Sequence, residues 1–226
     1  TDAMKNSGKF EEKNTNKESS FKSNSLSGGK AKEALNKISQ KYEIDEENIE
    51  IIETSNINQT SMTKLDIKKI DNDNAEISIK RQIGLRPDDE RGAYHEYAHQ
   101  METYWNSQQP KDINNWGSKT IYDEIIENGN KLRVSLDDYY DRQTTYNSIS
   151  TGFLNDDKLS SKIQKSVYDR LEQKGYSYKE IKDMQSKDLG NGGYSLNGPR
   201  EFFAEGIATL ELQGATTELT KIFEEE

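Results

Sequence analysis

The sequence predicts an α+β fold in one domain, with a small mixed sheet early in the chain and a mainly helical part after it. Three observations carry this. Before residue 85, short segments alternate apolar and polar residues, the period-two pattern of a half-buried strand. After it, apolar residues recur three and four apart, as on one face of a helix. No internal repeat divides the 226 residues, so strands and helices are expected to share one layered core.

The elements follow in order. Residues 1–29 scatter Met4, Phe10, Phe21 and Leu26 among Lys, Asn, Ser and Gly. Such a stretch buries too little apolar surface to offset its ordering, so it reads as a disordered tail or linker. The other reading is an arm that docks on the domain or a partner. Residues 30–226 are expected to form the domain. Ala31, Ala34, Leu35, Ile38 and Tyr42 have helical spacing, giving a helix over 30–42. Residues 49–53 and 63–69 read as strands, and 75–81 sets Ala75, Ile77 and Ile79 against Glu76, Ser78 and Lys80. Asn72, Asp73 and Asn74 suit a turn before it. Pro87-Asp88-Asp89-Glu90 suits a helix start, with helix from about 89 to 106.

The middle, at about 107–190, reads as mostly helical. Ile121, Ile125, Leu132 and Leu136 suggest one or two helices, and Leu159, Ile163, Val167 and Leu171 form a four-spaced stripe. A short helix is expected over 177–187. Gly190-Asn191-Gly192-Gly193 must be loop, and reads as a hinge before Tyr194. Pro199 suits a first helical turn with Asn197 as its cap, and Gly214 ends that helix. The C-terminal ATTELTKIFEEE reads as a last helix.

Composition narrows the function. With 31 Lys and Arg against 41 Asp and Glu, the net charge is −10, which argues against nucleic acid as the partner. No stretch reaches the ~18–20 apolar residues of a membrane span. Apolar residues make 31%, and roughly 38% once Gly is added, below the ~45–50% of an average globular domain. The core is therefore expected to be modest. The absence of Cys excludes disulfides, thiolate metal sites and Cys nucleophiles. The chain begins at Thr1 without a secretory apolar region, so it is expected to be a processed form or a piece of something longer.

Only two histidines occur, in the window His95-Glu96-Tyr97-Ala98-His99. On a helix, i and i+4 share a face, so both imidazoles can hold one metal ion. Glu96 stands beside that face, within reach of a water on the metal, as in the H-E-x-x-H zinc hydrolases. Chance would put a second histidine four residues from the first about once in a hundred such sequences, so the pattern is informative here. The plainer reading is a structural His pair.

A catalytic zinc takes three protein ligands and leaves one position open. With no further His and no Cys, the third ligand must be Asp or Glu. Glu201 and Glu205 lie four apart on a helix whose Phe202, Phe203, Ile207 and Leu210 read as core. Two like charges on one helix face are unfavourable. A metal held by Glu201, and an imidazole N–H bonded to Glu205, would resolve the conflict. A solvated acidic face is the alternative.

Tyr194 through Gly206, reading YSLNGPREFFAEG, resembles the second signature of the anthrax lethal factor-like zinc metalloproteases, which include the secreted proline–proline endopeptidases. In that family, H-E-x-x-H is followed by a Tyr and, seven residues later, by Glu-Phe-Phe-Ala-Glu. The resemblance covers about thirty residues in two blocks. It implies a zincin catalytic domain of gluzincin type, with one zinc on His95, His99 and Glu201. It further implies that Glu96 is the general base, Tyr194 stabilises the oxyanion and Glu205 supports the ligands from behind. The stretch from His99 to Tyr194 is longer than in the family, so 107–190 is expected to carry a helical insertion.

The expected activity is hydrolysis of peptide bonds in a protein or peptide, by a secreted, monomeric bacterial enzyme of toxin type with no nucleic-acid partner. The rival is a catalytically silent domain serving as a binding or structural module of a larger toxin or phage-associated protein. A zinc amidase acting on cell-wall peptides fits the same residues. Strand 75–81 is expected to offer its edge to an extended substrate. Tyr94, Tyr97, Tyr104 and Trp105 read mainly as packing of the active helix, with Tyr97 and Tyr104 as candidates to line a pocket. Asp137 to Asp141 lacks the spaced oxygens and Gly of a calcium loop and reads as a helix end.

Overall fold

In the central strand β4 (Asn74–Leu85), Ala75, Ile77, Ile79, Arg81, Ile83 and Leu85 are all buried on one face, because successive side chains point to opposite sides of a sheet. The other face carries Glu76, Ser78, Lys80 and Gln82, all partly exposed. The computed structural model that gives this arrangement describes residues 23–24, 29–42, 44, 48–55, 60–110 and 116–226.

Around β4 the sheet is mixed. β3 (Thr60–Lys69) runs antiparallel along one side of it. On the other side, β2 (Ile49–Glu53) pairs in parallel with residues 81–85, and β5 (Lys131–Ser135) pairs antiparallel with residues 74–78. β1 (Ser23–Asn24) adds a parallel pair outside β2. Ser23 and Asn24 fall within the stretch read as a tail, while 1–22 and 25–28 lie outside the described residues.

Two findings correct the reading from sequence. Residues 75–81 offer no open edge, since β4 is the central strand; among the described residues β1, β3 and β5 each have one strand neighbour and so a free outer side. The middle stretch is mostly helical, but Leu132 and Val134 belong to β5 and not to a helix.

One buried face serves two clusters. The first half of β4 packs Ile77 and Ile79 against Ile121 and Ile125 of α3 (Trp116–Glu127), Tyr146 of α5 (Gln143–Ser148), and the π-type turn Ile149–Phe153. A short helix α4 (Leu136–Asp141) precedes α5, so Asp137 to Asp141 is itself helical. The second half packs Ile83 and Leu85 against Ala34, Leu35 and Ile38 of α1 (Lys30–Lys41) and against α2 (Glu90–Gln108). Between the clusters sits buried Arg81, whose Nε donates to Gln100 Oε1 at 2.9 Å. Gln100 in turn donates to Ser61 Oγ at 2.7 Å, so this bridge ties α2 to β3 and β4 beside His99.

α2 is buried on nearly all sides from Ala93 to Thr103, so it runs through the core and does not ride on its surface. Asp89 caps it by accepting from the Gly92 N–H at 2.8 Å. Tyr94 and Tyr97 are fully buried, with Tyr104 and Trp105 packed against the same core. Against α2 lies α8 (Pro199–Gln213). Its outer side is covered by α6 (Lys158–Gln173), through the Leu159–Leu171 stripe, and by α9 (Glu218–Glu225). A Cβ on Gly206 would collide with the Phe223 ring, so glycine is what lets α9 seat this closely.

α7 (Tyr178–Asp188) opens with a Ser177/Glu180 capping box and leads to the 3₁₀ turn Asn191–Asn197. Asn197, expected to cap α8, ends that turn instead; Gly198, at φ 148°, takes the cap position without a side-chain bond. No helix among the described residues is long and apolar enough to cross a membrane.

Candidate metal centre

Arg91, His95 and His99 recur every four residues on α2, and Glu201, Glu205 and Thr209 recur every four on α8. Each set therefore forms a row along one helix face. The helices run antiparallel, so the rows meet rung by rung. Arg91 faces Glu205 and Thr209, His95 faces Glu201 and Glu205, His99 faces Glu201, and Glu102 faces Arg200.

At the middle rungs three ligand atoms converge. His95 Nε2 stands 3.1 Å from Glu201 Oε2, His99 Nε2 stands 3.6 Å from the same oxygen, and the two Nε2 atoms are 3.2 Å apart. Ligand atoms held about 2.0–2.2 Å from a tetrahedral cation lie about 3.3–3.6 Å from one another. The three separations match one face of such a tetrahedron. Glu201 Oε2 is buried and has no hydrogen-bond partner. A cation would satisfy it and would relieve the two ring nitrogens that face each other. His95, His99 and Glu201 could therefore hold a metal ion.

Behind the triad, His95 Nδ1 lies 3.2 Å from Glu205 Oε1. A carboxylate there fixes the ring's tautomer and leaves Nε2 free to ligate. Glu205 is only 2% exposed. Glu96 is buried beside the triad, and the Tyr194 ring lies 5.7 Å from the His95 ring, centre to centre, with Tyr194 itself 45% exposed. All six residues expected from the sequence thus fall at one place. Tyr97, a candidate to line a pocket, is buried and donates to the Tyr42 carbonyl at 3.1 Å.

The sequence reading missed two residue sets. Arg91 was one, although the spacing of 91, 95 and 99 signals a shared face. The other was the Glu102–Arg200 pair, whose partners lie far apart in sequence. Glu102 is fully buried, and it accepts from Arg200 Nε at 3.0 Å and from the Ser160 N–H at 3.1 Å.

Electrostatics follow from burial and these neighbours. Burial opposes the charged form of His95, yet the carboxylates of Glu201 and Glu205 win and hold its pKa up at about 9. Burial lowers the pKa of His99. Burial pushes Glu96 up to about 7, against the pull of His95. Burial would raise Glu201 too, but the two imidazoles hold it well below the usual carboxylate range. The charge of Glu201 raises Tyr194, which keeps its hydroxyl a neutral donor at pH 7.

These shifts set a sign. In the metal-free chain, protonated His95 stabilises the fold fully below its unfolded pKa of about 6.5, and this is lost as pH rises through about 9. A metal must displace that proton. Between pH 7 and 9, metal affinity is expected to rise about tenfold per pH unit, with about one proton released per ion bound. Calorimetry in buffers of different ionisation enthalpy measures this; uptake without proton release would show a neutral His95.

Compared with models of known protein families, with curated proteins and with solved structures, the chain matches none. The fold and the site therefore define a class only: a mixed α/β protein whose two longest-buried helices bring a His-His-Glu group together.

Proposed function

We propose that the chain is a zinc-dependent endopeptidase of the lethal factor-like type, hydrolysing peptide bonds of a protein or peptide. The observation that carries this is the convergence of His95 Nε2, His99 Nε2 and Glu201 Oε2 at tetrahedral spacing, with a buried carboxylic acid, Glu96, alongside. Two imidazoles and one carboxylate are a donor set that suits zinc and leaves a position open.

Bound there, zinc supplies Lewis-acid polarisation of the scissile carbonyl and a more acidic attacking water. The chain's own residues do the rest. Glu96 takes the proton from the attacking water and passes it to the leaving amine. Burial raises this carboxyl above the ordinary carboxylate range, which favours its taking up a proton and handing it on. Tyr194 donates its hydroxyl to the oxygen on which negative charge develops. Glu205 holds the His95 ring in place through Nδ1.

A pocket of about 520 Å³ opens beside Glu201, lined by Gly152, Asn155, Asp156, Asn197, Pro199 and Arg200, and would take one substrate side chain. An extended peptide adding a strand would have to use a free edge such as the outer side of β3, since β4 is paired on both sides.

The test is zinc stoichiometry together with turnover on an unfolded protein mixture and a peptide library that includes muropeptides. One zinc per chain and new peptide termini are expected. A zinc-loaded chain that cleaves nothing would make this a binding module, and cleavage confined to muropeptides would make it a cell-wall amidase.

A further inference from the structure

Arg91 makes contacts that no ordinary surface ion pair needs. It lies one helical turn before His95, with its side chain mostly buried. Its Nη2 and Nε both reach Glu205 Oε2, the latter at 3.1 Å. Nη2 also donates to Thr209 Oγ1 at 3.0 Å and to the Leu189 carbonyl at 3.3 Å. Glu205 leads directly to the metal triad, since its other oxygen lies 3.2 Å from His95 Nδ1.

Leu189 leads to the other half of the site. It closes α7 and is followed by Gly190, whose φ is +65°. A Cβ on Gly190 would fall on the Arg91 guanidinium. The backbone thus passes directly over this cation before turning into the segment that carries Tyr194 beside His95.

We propose that Arg91 is a positioning residue that sets two groups at once: the Glu205 carboxylate that aims His95, and the base of the arm that carries Tyr194. This rests on the endopeptidase reading. The chemistry favours arginine in particular. Its charge is permanent, and its planar fork can serve three acceptors on two different segments at fixed angles, whereas an ammonium is a single point. A carboxylate as buried as Glu205 also needs a counter-charge to stay ionised.

The experiment compares the full chain with Arg91→Met and Arg91→Lys. Metal affinity is measured by competition with a chromophoric chelator. The site is also filled with cobalt(II), whose visible spectrum reports ligand geometry, and kcat and KM are measured at saturating zinc. Arg91→Met is expected to bind metal ten- to a hundredfold more weakly, as other losses behind a ligand do. Its cobalt spectrum is expected to change, and its kcat to fall with KM nearly unchanged. Arg91→Lys keeps a charge beside Glu205, so it should recover folding but not the spectrum; it carries the test if Arg91→Met does not fold. Wild-type affinity and spectrum in these variants, with only a lower melting temperature, would overturn the proposal and leave the endopeptidase reading intact. A wild type that takes up neither zinc nor cobalt would instead overturn that reading.

Discussion

Glu96→Gln is expected to keep the metal and lose about 10²–10⁴-fold in turnover, the usual worth of one general acid–base group. Gln is nearly the same shape, so the buried position stays filled, and His95, His99 and Glu201 keep their geometry. What disappears is a group that can gain and lose a proton. Because burial holds the wild-type Glu96 pKa at about 7 in the metal-free chain, its carboxylate is the acid form below that value and the base form above it. A cation between the ligands favours the carboxylate and moves this transition to lower pH. The acidic limb of the wild-type rate profile is therefore expected to lie below pH 7 in the zinc form. The residual activity of Glu96→Gln should lack that limb. Metal analysis and a pH–rate profile check both statements; a variant with normal turnover would remove Glu96 from the reaction.

The second large effect concerns stability. Arg200→Met removes the cation that faces fully buried Glu102 and leaves that carboxylate with neutral donors of Ser160. Breaking a buried pair from one side costs about 3–5 kcal/mol, because an uncompensated charge stays inside. The sign with pH is fixed. Burial already raises Glu102 above its ordinary value, and loss of Arg200 raises it further. A group whose folded pKa is raised stabilises the fold below its unfolded pKa and loses this as pH rises. The deficit of the variant relative to wild type is thus expected to be smallest in acid and largest at neutral pH. Adding Glu102→Met should recover most of the loss, since replacing both partners by apolar side chains is often neutral. Chemical denaturation of the four proteins at two pH values measures it. A deficit independent of pH would mean that packing of the Arg200 stem, and not its charge, holds the helices.

Both effects come from the same two helices, α2 and α8, whose facing side chains differ in how far the sequence exposes them. The His95/His99 pair is legible because helical periodicity is local: four residues along a helix return to the same face whatever surrounds it. The Glu201/Glu205 pair is legible for the same reason, sharpened by its apolar neighbours Phe202 and Phe203. The α6 stripe and the alternation in β4 are equally local. The cap of α8 is not legible in this way, because Asn197 is the right residue type one position too early, and only the backbone reveals that Gly198, in a conformation that favours glycine, occupies the cap.

By itself the sequence determined which residue types stand on which helix or strand face, because side-chain direction repeats with the backbone period. It therefore specified two half-sites, two imidazoles on one helix and two carboxylates on another. Tertiary structure alone decided that these faces meet, that Arg91 rather than solvent neutralises Glu205, and that Glu102 is closed off by Arg200. It also decided that residues 131–135 complete the sheet and that β4 lies at its centre. The physical reason is that contacts between segments a hundred residues apart depend on how whole elements pack and register. No local pattern of apolar and polar residues contains that information.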